Sequence, residues 1–184
     1  MSNDKNVSVR DKILLTAHDL FYSTGFKATG VDKIIKQAGV TKVTFYRYFP
    51  AKSLLILAYL NYRHDLWINW FQSTLSLKAG EGKPPAQALS DTLDEWFKCP
   101  LFRGCAFINA TAEAESEDIA EQIKEICRNH KYETGQKIAS LFGITDINLI
   151  GEIMMLVDGA IIHAQMGMNT VDIINQLKSG LERY

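Results

Sequence analysis

Four residues able to read a polar groove, Lys42, Val43, Thr44 and Arg47, lie within six positions of one another between a capping Thr41 and the helix-stopping Pro50. In a helix each residue turns about 100°, so Val43 and Arg47 share one face, with Thr44 beside them and Lys42 in the first turn. Phe45 and Phe49 share the opposite face, and Tyr46 and Tyr48 fall on the two flanks. An apolar back, short and basic side chains in front and hydroxyls at the edges are what a helix needs to lie in the major groove of DNA. No comparable set suggests catalysis. Glu113 with Glu117, and Asp91 with Glu95, have the spacing of acidic pairs on solvated helix faces. No nucleophile is paired with a base, so no catalytic residue is assigned and an enzyme is not expected. The four histidines are scattered and Cys127-x-x-His130 lacks further ligands, so neither a metal nor a cofactor is expected.

Such a helix must be held by others. Residues 29–52 read as two short helices joined by a tight turn, a helix-turn-helix. Thr29 caps the first, whose Val31, Ile34, Ile35 and Ala38 keep a helical period, and Gly39 supplies the permissive backbone that ends it. Residues 8–24 precede it with a stripe of Ile13, Leu14, Ala17, Leu20 and Phe21, ended by Gly25. A long helix from about Ala51 to Leu77 follows, roughly 40 Å if straight. The clearest loop is 78–85. Further helices are expected over 86–98, over 105–115, from the acidic start Ser116-Glu117-Asp118 to about Leu141, over 147–167, and over 171–183 after a capping Thr170. No segment alternates with a period of two over strand length. The expected fold is therefore all-α, with about nine helices. Residues 1–52 would form a three-helix DNA-binding head, and residues 53–184 a helical body.

The charge is divided along the same line. Residues 1–53 hold nine Lys or Arg against four Asp or Glu, leaving eleven against seventeen for the rest. A basic head on an acidic body suits a protein that touches nucleic acid at one end. The polar N-terminus suggests no signal peptide, and Glu152, Asp158 and His163 interrupt the most apolar segment, so no membrane partner is expected. Three cysteines without paired spacing point to the reducing cytoplasm.

At its N-terminal third the chain resembles the tetracycline-repressor (TetR) family of bacterial transcription regulators. The matching residues are Phe21-Tyr-Ser-Thr-Gly-Phe26, Thr29, the turn Ala38-Gly39-Val40-Thr41, and Thr44-Phe45-Tyr46-Arg47-Tyr48-Phe49 followed by Lys52 and Leu55. Departures at Asp32, Ile35 and Val43 leave the motif intact. The resemblance implies that Arg47 reads a base edge and that Lys42, Val43 and Thr44 meet bases or the groove wall. Thr29, Thr41, Tyr46, Tyr48 and Lys52 would hold phosphates of double-stranded DNA. It also implies a homodimer through the last two helices, in line with the surplus apolar surface of residues 147–167.

For the body, the resemblance implies a pocket for a small, mostly apolar effector that relieves repression. Trp67, Phe71, Trp96, Phe107 and Met155 would line it, and Asn109, Glu113 and His163 would be its polar contacts. The segment Gly104-Cys105-Ala106-Phe107-Ile108-Asn109 is similar to one found in the body of a TetR subgroup. Two other readings of the body stay open: a protein-interaction module, and a redox switch built on Cys99, Cys105 and Cys127. Thiolate chemistry wants a nearby cation, and Arg103 and Arg128 are the candidates close in sequence.

Overall fold

The computed structural model describes residues 8–114 and 118–184. These form nine helices: α1 (Val9–Thr24), α2 (Val31–Ala38), α3 (Lys42–Tyr48), α4 (Lys52–Gly80), α5 (Pro85–Phe97), α6 (Ala106–Glu113), α7 (Ala120–Phe142), α8 (Ile147–Gln165) and α9 (Thr170–Leu181). They pack as two units, Met1–Arg63 with Ala106–Ile126, and His64–Cys105 with Cys127–Tyr184. The packing therefore divides the chain differently from a cut at residue 52. The first unit includes the start of α4 and takes in α6 from the far side of the sequence. The expected start of α7 at Ser116 and Glu117 lies outside the described residues.

In the first unit, Ser8 caps α1 by accepting the Asp11 N–H at 3.1 Å. The α1 stripe of Ile13, Leu14, Ala17, Leu20 and Phe21 is buried as its period requires. α1 packs on α2 and α2 on α3. Gly39, at φ 61° and ψ 40°, takes the left-handed cap that ends α2. One expected cap is corrected here. The N-cap of α2 is Gly30, and it makes no side-chain capping bond. Thr29 is fully buried, and its hydroxyl donates to the Gly25 carbonyl at 2.8 Å. Its side chain closes the turn after α1, which leaves it unable to serve α2.

That turn explains why α6 belongs to this unit. Gly25 sits at φ 82° and ψ 158°, a conformation essentially confined to glycine. A Cβ there would lie 2.7 Å from Glu113 Oε1, and Glu113 Oε2 accepts the Lys27 N–H at 2.9 Å. Two residues far apart in sequence thus fix one tight corner. Near it, His18 is surrounded by the rings of Tyr22, Tyr59 and Tyr62. Its Nδ1 meets Asp19 Oδ1 at 2.9 Å, while its buried Nε2 has no hydrogen-bond partner among the described residues.

In the second unit α9 packs against both α5 and α8. Asn169 caps α9 by accepting the Val171 and Asp172 N–H groups; Thr170, expected to be the cap, is the first helical residue. The interior is aromatic. Trp67 stacks on Phe71 with centroids 4.7 Å apart and meets Trp96 edge-on at 5.4 Å, and Phe102 extends the set to Phe97. His64 and His130 face each other through their Nδ1 atoms at 3.1 Å, and His64 Nε2 reaches Glu133 at 3.1 Å.

Two stability measurements check this account. Gly25→Ala should cost about 1–3 kcal/mol in urea unfolding, because both the backbone region and the Glu113 carboxylate oppose a side chain there. Burial lowers the His18 pKa, with Arg63 adding to that and Asp19 opposing it. The unfolded state therefore binds more protons than the folded state as pH falls below about 6.5. Stability should drop through that window, and His18→Phe should flatten the drop; an unchanged pH profile in the variant would contradict the assignment.

Candidate nucleic-acid interface

α3 is only seven residues long, and its two faces have opposite environments. Phe45 is fully buried, whereas Val43 is 72 % exposed. Phe49 is buried just beyond the helix, and the Arg10 guanidinium lies 5.1 Å from the centre of its ring. These contacts fix the back of α3 and turn Lys42, Val43 and Arg47 outward, with Tyr46 and Tyr48 exposed on the flanks. Thr41 caps the helix, accepting the Thr44 N–H at 3.1 Å, and the two threonine hydroxyls lie 2.8 Å apart. The cap thereby also orients Thr44 on the outward side.

Lys52 is the first residue of α4. A cation at a helix N-terminus opposes the helix dipole, while the free N–H groups of that first turn suit an anion. A phosphate there would satisfy both the ammonium and the turn. Eight of the nine expected DNA contacts therefore sit where solvent or a ligand reaches them. Thr29 does not. Its buried hydroxyl is spent on Gly25 and lies 3.0 Å from the Thr24 hydroxyl, so its expected phosphate contact is corrected to a structural one.

Of the eight expected effector contacts, five belong to the second unit and three to the first. Trp67, Phe71 and Trp96 share the aromatic interior of the second unit, where the buried Trp67 indole N–H has no hydrogen-bond partner among the described residues. Phe107, Asn109 and Glu113 belong to α6 in the first unit, where Glu113 is committed to the Lys27 amide. Met155, 69 % exposed, and His163 line a groove of about 200 Å³ with Leu156, Gly159, Gln176 and Leu177 on the outer side of α8 and α9. That groove is open to solvent. α8 is also long and apolar enough to cross a membrane by length and composition, with only 22 % of its window buried within the chain. The acidic pair Asp91 and Glu95 is not a reaction centre: Lys83 holds the first at 2.7 Å and Lys78 the second at 3.1 Å.

With this geometry in hand, the chain can be placed among known proteins. Residues 13–59 match the family described as bacterial regulatory proteins of the tetR family. The HTH-type transcriptional regulator YuxN of Bacillus subtilis is 25 % identical over 155 residues, which cover 82 % of this chain and 52 % of the relative. The HTH-type transcriptional repressor NemR of Escherichia coli is 27 % identical over 116 residues, covering 61 % of this chain and 57 % of NemR. The chain thus spans about half the length of these curated relatives. A TetR-family transcriptional regulator from Streptomyces coelicolor superposes with a TM-score of 0.78 at 26 % identity, covering 95 % of this chain and 86 % of the other.

The reassignment of Thr29 is testable. Thr29→Ala should lower stability by about 1 kcal/mol through loss of the Gly25 hydrogen bond. It should leave the salt dependence of DNA binding unchanged, whereas a flatter salt slope would restore Thr29 as a phosphate contact.

Proposed function

Because the chain belongs to the TetR family of bacterial regulatory proteins, we propose that it is a dimeric repressor that reads a palindrome-like operator with α3 and releases it when a small effector binds. The observation that carries this reading is the two-sided burial of α3, with Phe45 closed off and Val43 and Arg47 turned outward. Arg47 reads a base edge; a guanine presents the two acceptors that its planar fork fits. Lys42, Val43 and Thr44 meet bases or the groove wall, while Thr41, Tyr46, Tyr48 and Lys52 hold phosphates and set the register. The protein works in the cytoplasm, where its operator lies.

The dimer forms through α8 and α9. Ile147, Met155, Leu156, Met166 and Val171 are exposed apolar residues on these two helices or at their ends. A second copy of the same pair would cover them as a four-helix bundle, the isologous contact of a two-fold dimer. This also accounts for the low burial of α8 within one chain. Two heads related by a two-fold axis must meet grooves ~34–36 Å apart, or a multiple of that, on a palindrome-like site.

The effector binds at the aromatic interior, among Trp67, Phe71 and Trp96. A buried indole N–H without an acceptor costs free energy, and a small, mostly apolar molecule carrying one acceptor would satisfy it. Binding then changes the second unit, from which α4 runs without interruption into the first.

The division of labour on α3 and α4 supplies the test. Arg47→Ala should relax specificity at one position per half-site by about 1–3 kcal/mol. Lys52→Ala should weaken all sequences alike and reduce the salt slope by about one. Equal losses on all sequences from both changes would refute the assignment.

A further inference from the structure

The outward face of α3 carries one side chain that can form neither a hydrogen bond nor an ion pair. Val43 is 72 % exposed; among the described residues of the first unit no large apolar side chain is as exposed, and Leu54 follows at 48 %. Valine favours a helix less than alanine or leucine does, so it does not strengthen this short helix locally. It is the second residue of α3, in the turn that Thr41 caps, and Arg47 stands one turn further along the same face. A β-branched side chain has one strongly preferred rotamer in a helix. The two methyl groups of Val43 therefore meet whatever lies in front of α3 at a fixed position.

We propose that Val43 is a specificity-determining residue that reads the C5-methyl group of a thymine in each operator half-site. The inference rests on the DNA-binding reading above and deepens it, from a residue that meets bases or the groove wall to one that selects a base. In the major groove guanine offers the acceptors N7 and O6, cytosine the N4 donor, and adenine the N7 acceptor and N6 donor; thymine sets a methyl group beside its O4 acceptor. Valine neither donates nor accepts. Set against guanine, cytosine or adenine, it would strip water from a polar group and return no hydrogen bond, which costs free energy. Against the thymine methyl both surfaces are apolar, and burying them is favourable.

Spacing ties this thymine to the base that Arg47 reads. Four residues advance a helix by about 6 Å, and stacked bases of one strand lie about 3.4 Å apart. The thymine therefore falls within about two base pairs of the position read by Arg47. The burial of Phe45 and Phe49 fixes the rotation of α3, and so turns Val43 outward together with Arg47. Val43 carries no charge, so it adds to the choice of base and nothing to the salt-dependent part of binding.

The test uses the full-length protein and the duplex that it selects from a random library. Each thymine of the half-site is replaced in turn by deoxyuridine, whose base differs only in lacking the methyl group. One such replacement, within about two base pairs of the position where Arg47→Ala relaxes specificity, should weaken binding about fourfold per half-site, as expected for one buried methyl-sized group. Val43→Ala should bind the thymine and uracil duplexes alike, with an unchanged salt slope. The uracil comparison needs no variant, so the unaltered protein decides if Val43→Ala does not fold. Equal binding of uracil and thymine at every position overturns the inference. So does a half-site without thymine in that window, or a Val43→Ala protein that keeps the preference for thymine. Each of these results leaves the DNA-binding reading standing. Selection of duplexes with no shared motif overturns that reading and this inference together.

Discussion

A seven-residue helix has almost no stability of its own, because the first hydrogen-bonded turn fixes more backbone than it rewards. α3 persists because Phe45 is wholly buried and Phe49 anchors the chain just beyond the helix. That burial sets the rotation of α3, and rotation decides which side chains face outward. A turn of about 100° in either direction would replace Val43 and Arg47 at the front with a flank. The outward set of Lys42, Val43 and Arg47 is thus a by-product of core packing. Thr41 at one end and Arg10 over the Phe49 ring at the other hold the same rotation.

The first unit is completed by a segment that the chain reaches only at residue 106. Glu113 accepts the Lys27 amide and occupies the space beside Gly25, so the corner between α1 and α2 depends on α6. α4 and α7 each pass from one unit to the other, and α6 starts where the second unit's Cys105 ends.

The parts of the structure governed by local periodicity were legible in the sequence. The two faces of α3, the stripe on α1, the left-handed Gly39 and the nine helices follow from spacing and turn chemistry. What depends on contacts between distant segments was not. Thr29 has the residue type of a cap and the position of a phosphate contact, yet its burial and its bond to Gly25 arise from tertiary packing. Asn109 and Glu113 line a small pocket of the first unit with Phe21, Tyr59 and Ala106, neighbours that spacing along the chain does not reveal. Arg103, a candidate cation close to Cys105 in sequence, donates to the Pro100 and Phe102 carbonyls. The aromatic character of the body was visible from composition, but that the Trp67 N–H has no partner among the described residues was not.

The most direct test of the account is selection of bound duplexes from a random library by the purified protein at moderate salt, followed by sequencing. The account predicts an inverted repeat whose half-sites are centred about ten base pairs, or a multiple of that, apart, as two copies of α3 on a two-fold dimer require. Recovery of DNA without any shared motif would contradict it, because α3 would then contribute charge alone and the outward turn of Arg47 would carry no sequence information.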